Sequence, residues 1–221
     1  MNPSITGADY DVVAAVVDAS GNLYIGGVFA VVGDVVANAI AKWNGSSWSA
    51  LGSGMSAGSV VYALAVSGSD VYAGGNFTTA GGIAVTNIAK WNGSNWTALS
   101  LGLNGEVRAL AVSGSDVYAG GRFETAGGSA VNYIAKWDGS SWRALGSGMN
   151  EAVYALAVSG SDVYAAGAFT TAGSSSAANH IARWNGSSWS GLGSGIDFPV
   201  SALAVSGSDV YAGGFFRTAG G

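Results

Sequence analysis

The chain has 221 residues, a net charge of −5 and only 10% charged residues, and this length is sufficient for one domain with a buried core. Its few basic residues form no cluster, which argues against nucleic acid and anionic membranes as partners. No apolar run approaches the about 18 residues that a membrane helix requires. Cysteine is absent, so disulfides, thiolate nucleophiles and cysteine metal sites are excluded.

A repeat of 46–48 residues runs through the whole chain. Five tyrosines follow it, spaced 48, 46, 46 and 47 residues apart: Tyr24, Tyr72, Tyr118, Tyr164 and Tyr211. All eight tryptophans fall into the same frame as the pairs Trp43/Trp48, Trp91/Trp96, Trp137/Trp142 and Trp184/Trp189. The segment "AVSGSDVYAGG" returns nearly unchanged in four of the units, so a repeated structural element is indicated before any site is considered.

Each unit contains four short runs rich in Val, Tyr, Ile, Phe or Trp, bounded by Gly, Ser or Asn. In chain order, the second unit predicts strands A (Val61–Val66), B (Asp70–Phe77), C (Asn87–Trp91) and D (Trp96–Leu99). The turns "SGSD" and "NGSN" join A to B and C to D. No segment has a sustained helical period with capping residues.

Four antiparallel strands at this spacing are typical of a β-propeller blade. The sequence therefore predicts an all-β fold, a β-propeller of four-stranded antiparallel blades with four complete blades and the inner half of a fifth. We expect a single domain over residues 1–221, built of the units 12–55, 56–103, 104–149, 150–196 and the incomplete unit 197–221.

The pattern "DVYAGG", then a loop, "IAKW", a four-residue turn and a second Trp resembles a kelch-type blade. The units "GGNFTTAGG…NIAKWNGSSWSALGSG" are similar to kelch-like propellers of bacterial surface proteins and of fungal cortical-marker proteins. The resemblance covers almost the whole chain and implies the propeller fold. It implies little about function, because propellers carry many functions on one scaffold.

The invariant parts of the repeat are interpreted as scaffold. Gly74 and Gly75 allow backbone to approach backbone where a Cβ would clash. The tryptophan pairs could stack on sugar rings, but their invariance favours packing of the outer hairpin. The cations Lys42, Lys90, Lys136 and Arg183 and the acids Asp70, Asp116, Asp162 and Asp209 also recur, and they favour a repeated ion pair over ligand contact.

The A–B and C–D turns hardly change between the units, whereas the B–C loops, the D–A links and the strand residues beside them change freely. Alternating strand direction places these variable positions on one face of the blades. Aromatic, arginine and histidine side chains at these positions suit recognition, although loops also vary by neutral drift. The predicted ligand-binding residues are Tyr62, Arg108, Tyr154, Asn76, Arg122, Phe215, Tyr133 and His180.

Nothing in the sequence predicts catalysis, a metal or a cofactor. His180 is the only histidine, so neither a histidine-rich metal site nor a Ser-His-Asp arrangement is expected. The copper chemistry of galactose oxidase, which shares the kelch-type fold, requires a Tyr–Cys crosslink and two histidines that are absent here. Asp9, Asp11, Asp18 and Asn22 suggest calcium, but their spacing matches no loop template.

The leading hypothesis is a non-enzymatic recognition or structural repeat module that binds a protein or glycan through the variable face. The first alternative is a lectin-like propeller with sites repeated between blades. The second is an engineered or recently amplified repeat scaffold without a ligand, which the near-identity of the units favours. By resemblance, we expect an extracellular or cell-surface location, without membrane insertion; no signal peptide is visible at Met1.

The fifth unit bears on how the chain associates, because its A and B strands lack a C–D hairpin. An exposed B-strand edge invites pairing with another strand. We therefore expect the chain to be part of a longer propeller array or to associate into a homo-oligomer. Light scattering tests this when the chain is compared with a version extended by "IAKWNGSSWSALG". A strictly monomeric chain that gains no stability from the extension would contradict it.

Overall fold

The computed structural model describes residues 7–174 and 178–220. Within them every regular element is a β-strand, and no helix is long and apolar enough to cross a membrane. The chain forms two compact units, one up to Gly102 and one from Leu103. The first unit contains blades 1 and 2, and the second contains blades 3 and 4 and a fifth, two-stranded sheet.

The strands recur in the same order in each blade, and the predicted strands A, B, C and D are all present. Blade 1 consists of β1 (Val12–Val17), β2 (Leu23–Gly27), β3 (Val31–Val32), β4 (Val35–Val36), β5 (Ile40–Trp43) and β6 (Trp48–Ala50). Blade 2 consists of β7 (Val60–Ser67), β8 (Asp70–Asn76), β9 (Thr79–Ala80), β10 (Ile83–Ala84), β11 (Ile88–Trp91) and β12 (Trp96–Ala98).

The compact unit that begins at Leu103 continues the pattern. Blade 3 consists of β13 (Val107–Ser113), β14 (Asp116–Gly121), β15 (Thr125–Ala126), β16 (Ser129–Ala130), β17 (Ile134–Trp137) and β18 (Trp142–Ala144). Blade 4 consists of β19 (Val153–Ser159), β20 (Asp162–Gly167), β21 (Ile181–Trp184) and β22 (Trp189–Gly191). The fifth sheet consists of β23 (Val200–Ser206) and β24 (Asp209–Gly214).

Blades 1–4 are antiparallel sheets in the spatial order A–B–C–D, as in β13–β14–β17–β18. The prediction of four complete blades and the inner half of a fifth is confirmed for the described residues. Each blade has a phenylalanine just after strand B that is completely buried: Phe29, Phe77, Phe123 and Phe169. Apolar clusters join successive blades inside each unit, such as Ile40, Leu51 and Val61 in the first.

The B–C loops contain an element that the sequence did not predict. In blades 1–3 each loop folds into a two-residue hairpin, such as β9 with β10, in which Ala80 pairs with Ile83. The preceding D–A link joins this hairpin by a single bridge, for example Met55 to Ala80. B–C loops and D–A links therefore lie together, as the alternation of strand direction predicted.

The D–A links are less free than the sequence comparison suggested. One side chain in each link accepts hydrogen bonds from the backbone of the following B–C loop, and this requirement keeps a polar residue there. Asn104 Oδ1 accepts from the N–H groups of Glu124 and Thr125 at 2.9 Å. The equivalent acceptors are Asp9, Asn150 and Asp197, with the Ser56 hydroxyl in blade 2.

The double glycine of strand B has two different structural roles. A Cβ on the second glycine of blade 3, Gly121, would overlap the backbone carbonyl oxygen of Glu106, just before strand A. A Cβ on the first, Gly120, would meet only side chains of the next blade, chiefly Val153 and then Leu156. Blade 4 carries Ala166, completely buried, at this first position. The first glycine is therefore replaceable and the second is not.

We expect Gly121→Ala to lower the free energy of unfolding by about 1–3 kcal/mol, because a backbone carbonyl cannot move without disrupting the A–B ladder. Gly120→Ala is the matched control, and it should cost clearly less because the Val153 side chain can adjust. Denaturant titration of the two variants measures the difference. Equal costs would show that the second glycine has no special role.

Candidate partner-binding surface

Each A strand contains a β-bulge at its variable position. In blade 2 the register of the A–B ladder shifts between Val61 and Ala63, so Tyr62 lies at the bulge. The same irregularity occurs in all five A strands and affects Val13, Tyr62, Arg108, Tyr154 and Ser201. A bulge releases one residue from the ladder and redirects its side chain. The variable residue of strand A is thus the residue at the bulge in every A strand.

The variable residue at the start of strand C has a left-handed backbone. The φ angles are 69° at Ala39, 62° at Asn87, 69° at Tyr133 and 64° at His180. Such values are uncommon for residues other than glycine, and they occur often at functional positions. The backbone oxygen of each residue accepts a hydrogen bond from the second glycine of strand B, as in Gly121 N–H to Tyr133 at 3.1 Å. The local conformation is therefore fixed whatever the side chain is.

These positions form what we call the variable row: in each blade, the bulged residue of A, the residue after the second glycine of B, and the left-handed residue of C. The described members are Val13, Val28 and Ala39 in blade 1, Tyr62, Asn76 and Asn87 in blade 2, Arg108, Arg122 and Tyr133 in blade 3, Tyr154, Ala168 and His180 in blade 4, and Ser201 and Phe215 in the fifth sheet. All eight predicted site residues thus occupy positions of the variable row. Tyr62 and Asn76 belong to the first compact unit, and the other six belong to the second.

Arginine and tyrosine side chains connect the row between blades 3 and 4. The Arg122 guanidinium lies 5.9 Å from the centre of the Tyr154 ring, a cation–π distance. A hydrogen bond with the Tyr154 hydroxyl raises the pKa of Arg122, and nearby Glu106 and Glu151 raise it further. Arg122 is exposed and Tyr154 half-buried, so this pair presents an organised charge to solvent.

Acidic side chains that the sequence analysis did not select lie beside the row. Arg108 Nε donates to Glu106 Oε2 at 2.9 Å, and the Tyr133 hydroxyl donates to Glu124 Oε1 at 3.5 Å. Burial raises the pKa of Tyr133, and Glu124 and Glu151 act in the same direction. A sequence signal existed for Glu124, because it replaces the threonine found at this position in blades 2 and 4.

The remaining predicted residues differ in environment. Phe215 is 93% exposed, whereas His180 is half-buried and its Nδ1 lies 3.2 Å from the Gly167 backbone oxygen.

Asp18, which the sequence analysis considered as a calcium ligand, instead closes its own turn. Burial opposes its ionisation, but hydrogen bonds from Asn22, Ser20 and Tyr24 outweigh burial and lower its pKa. The described residues contain no cluster of three His, Cys, Asp or Glu side chains able to hold a metal.

The tryptophan pairs are part of the packing, as favoured from the sequence. The two rings of each pair lie across the C–D hairpin with centroids 5.3–5.5 Å apart. The second ring is buried in blade 2 and in blade 4, and its Nε1 donates at 2.8 Å to a backbone oxygen of the preceding blade. These acceptors are Leu51 for Trp96 and Leu145 for Trp189. The pairs thus hold neighbouring blades together.

The predicted repeated ion pair is also present in blades 2–4. Lys90 lies 2.9 Å from Asp70, Lys136 lies 2.8 Å from Asp116, and Arg183 lies 2.8 Å from Asp162. Each pair joins strand C to the start of strand B at the face opposite the variable row. Such half-exposed pairs contribute at most about 1 kcal/mol each, so their role is mainly to fix local geometry.

Comparison with known proteins places this architecture in a family. The family model "Rax2 C-terminal beta propeller domain" matches residues 1–151 and 58–203, ranges that overlap and together extend over most of the chain. The chain belongs to this family. No curated protein matches the chain. Membership of the Rax2 C-terminal β-propeller family agrees with the repeat spacing and with the four-stranded blades.

Solved propellers share the fold of this Rax2-family chain at low sequence identity. The computationally designed Ika8 protein is 18% identical over 95% of this chain and 58% of its own, with a TM-score of 0.61. The WD40 β-propeller domain of Doa1 is also 18% identical, over 94% of this chain and 63% of its own, with a TM-score of 0.57. This chain therefore spans less than two thirds of either structure.

A third similar structure is the extracellular domain of BT4673 from B. thetaiotaomicron. It is 14% identical, its TM-score is 0.53, and the match covers 90% of this chain and 24% of that chain. Likeness at this level of identity concerns the fold alone.

The role of the second tryptophan can be tested by removing its N–H group. Trp189→Phe removes the indole donor of the Leu145 oxygen and leaves it only the Gly148 N–H, so we expect it to cost about 0.5–1.5 kcal/mol more than the loss of ring volume alone. Trp48→Phe is the matched control, because Trp48 Nε1 is buried without a hydrogen-bond partner among residues 7–174 and 178–220. Thermal unfolding compares them, and equal destabilisation would contradict the interpretation.

Proposed function

We propose that this Rax2-family propeller module is a non-enzymatic recognition module whose variable row binds a protein partner. The observation that carries the proposal is the backbone arrangement common to the row: a bulge, a glycine and a left-handed residue recur in blades 1–4, while the side chains at these positions differ. A scaffold that keeps its backbone and changes only these side chains is well suited to presenting a specific surface.

The chemistry of the row supports a protein as partner. Arginine and tyrosine are enriched among residues that dominate binding energy at protein interfaces, and both occur here in the Arg122–Tyr154 contact. The ion pair of Arg108 with Glu106 and the contact of Tyr133 with Glu124 hold further side chains in place before binding. Fixing side chains in advance reduces the entropy lost on association.

A lectin-like function is the alternative, and it depends on different residues. Repeated sugar sites require the same side chains in each blade, and the row does not supply them. The first tryptophan of each pair does recur, and it is half-buried in blades 1, 2 and 4, at Trp43, Trp91 and Trp184. Indole faces of this kind can stack on sugar rings. The glycan alternative therefore predicts binding at the outer hairpins.

A repeat scaffold without a ligand is a second alternative, and the proposal itself includes a role outside catalysis and a surface location. Similarity to a computationally designed propeller supports the scaffold alternative. The single histidine contacts a backbone oxygen, which supports a role outside catalysis. The family, and the extracellular location of the similar B. thetaiotaomicron domain, support an extracellular or cell-surface protein with kelch-like blades.

The proposal is tested with the combined substitution Arg122→Ala, Tyr133→Ala and Tyr154→Ala. Protein and peptide binders are first selected on the unmodified chain from a displayed random library, and a glycan array is probed in parallel. We expect the triple variant to bind the selected partners at least tenfold more weakly, equivalent to about 1.4 kcal/mol, with little change in Tm.

Ser115→Ala with Ser161→Ala is the matched control, because both serines are exposed in A–B turns on the opposite face. It should leave binding unchanged. Full affinity in the triple variant, or its unfolding, would show that the row is not the partner site. Array signals lost on Trp91→Ala and Trp184→Ala but retained by the triple variant would favour the lectin alternative.

A further inference from the structure

Blade 1 departs from the other blades at one point on the face opposite the variable row. In blades 2–4 the cation of strand C pairs with an aspartate at the start of strand B, at 2.8–2.9 Å. In blade 1 the register Leu23 to Trp43 corresponds to Val71 to Trp91 in blade 2, which places Asn22 at the position of Asp70. The carboxylate that neutralises the cation elsewhere is therefore replaced by an amide.

Lys42 consequently keeps its charge without an acidic partner among the described residues. Its Nζ instead lies 5.6 Å from the centre of the Tyr24 ring, an attraction that holds the ammonium in place but leaves its N–H groups available. Lys42 is half-buried, so its surroundings strengthen its interaction with an anion relative to a fully exposed lysine.

The Asp18 carboxylate, which lines the same groove as Lys42, is committed to other partners. Its Oδ1 accepts from the backbone N–H groups of Ser20 and Asn22, both at 2.9 Å. Its Oδ2 accepts from Asn22 Nδ2 at 2.7 Å and from the Tyr24 hydroxyl at 3.2 Å. A carboxylate offers about four acceptor positions, and all four are in use, so Asp18 organises the turn and does not take the role of Asp70.

A groove of about 400 Å³ surrounds Lys42 within the first compact unit. Blade 1 contributes Asp18, Ser20, Tyr24 and Lys42 to its wall, and the turns of blade 2 contribute Gly68, Ser69 and Gly93. The two serines are exposed, and their hydroxyls can donate hydrogen bonds. The groove thus combines the Lys42 charge and two hydroxyl donors with an Asp18 carboxylate whose oxygens already accept four hydrogen bonds from the turn.

We propose that this groove binds a carboxylate group, which pairs with Lys42 as Asp70 pairs with Lys90. The carboxylate comes either from a free organic acid or from the side chain of an acidic peptide, since both present the same group. The site lies opposite the variable row and is independent of the function proposed for the row.

The experiment uses the whole chain, labelled with ¹⁵N, at constant ionic strength and pH. N-acetyl-aspartate amide is titrated while the backbone amide signals of Ser20, Gly68, Ser69 and Gly93 are followed. We expect a saturable shift of these signals. N-acetyl-asparagine amide, which has the same shape without the charge, should give none. Equal responses to the two compounds would overturn the proposal.

Two variants remove the site by different routes. Lys42→Met removes the charge, and Asp18→Ser combined with Asn22→Asp gives blade 1 the carboxylate that blades 2–4 have. We expect both to abolish the saturable shift, whereas Lys136→Met, at the equivalent position in blade 3, should leave it unchanged. If Lys42→Met fails to fold, the double variant still decides, and saturable binding by a folded double variant would overturn the proposal.

A second titration, with an acetylated and amidated Gly-Asp-Gly peptide, distinguishes a free organic acid from an acidic peptide as the source of the carboxylate. Binding at least tenfold tighter than that of N-acetyl-aspartate amide supports an acidic peptide as the natural occupant. Equal binding supports a free organic acid. Lys42→Met should lose either response, and an unchanged peptide response in that variant would contradict recognition through this lysine.

Discussion

The close approach between the second glycine of strand B and the carbonyl oxygen just before strand A is the constraint on which the blade geometry depends. At Gly121 the backbone of Glu106 occupies the space of a Cβ. This approach lies next to the bulge at Arg108, where the register of the A–B ladder shifts. The same glycine donates its N–H to the left-handed Tyr133, so one residue without a side chain determines the backbone of three strands.

The structure separates the groups that stabilise the blades from those that vary. Stability depends on backbone contacts, on completely buried phenylalanines such as Phe123, and on tryptophans that bond the preceding blade. The variable side chains project from positions whose conformation is already fixed. Substitutions at sites without shared contacts have additive effects on the free energy of unfolding. Variable side chains of one blade can therefore change with little effect on the packing of the other blades.

The sequence was sufficient for the fold because each blade repeats the same strong signals. The spacing of the tyrosines and tryptophans predicts the strands, their order and the two faces. The small hairpins were missed because segments such as Thr79–Ala80 are too short to show an alternating pattern. The acceptor at Asn104 was also missed, since aspartate, asparagine and serine exchange at this position and look like free variation.

The site was only partly predictable for a related reason. Alignment of the units selects the variable positions, but the contact of Arg122 with Tyr154 joins different blades and depends on their distance in space. The unpaired state of Lys42 was in principle visible, because "DASGN" replaces "SGSD" in the first unit. Its meaning required the strand register, which shows that Asn22 takes the place of the missing aspartate.

The four tryptophan pairs also have an optical consequence. Each pair holds two indole rings 5.3–5.5 Å apart at interplanar angles of 51–55°, so their electronic transitions couple with the same handedness in every blade. The circular dichroism of the protein should therefore contain an exciton couplet that adds up over the blades. Since the rings belong to the outermost hairpins, this couplet reports fraying of the blade edges separately from the loss of the inner strands.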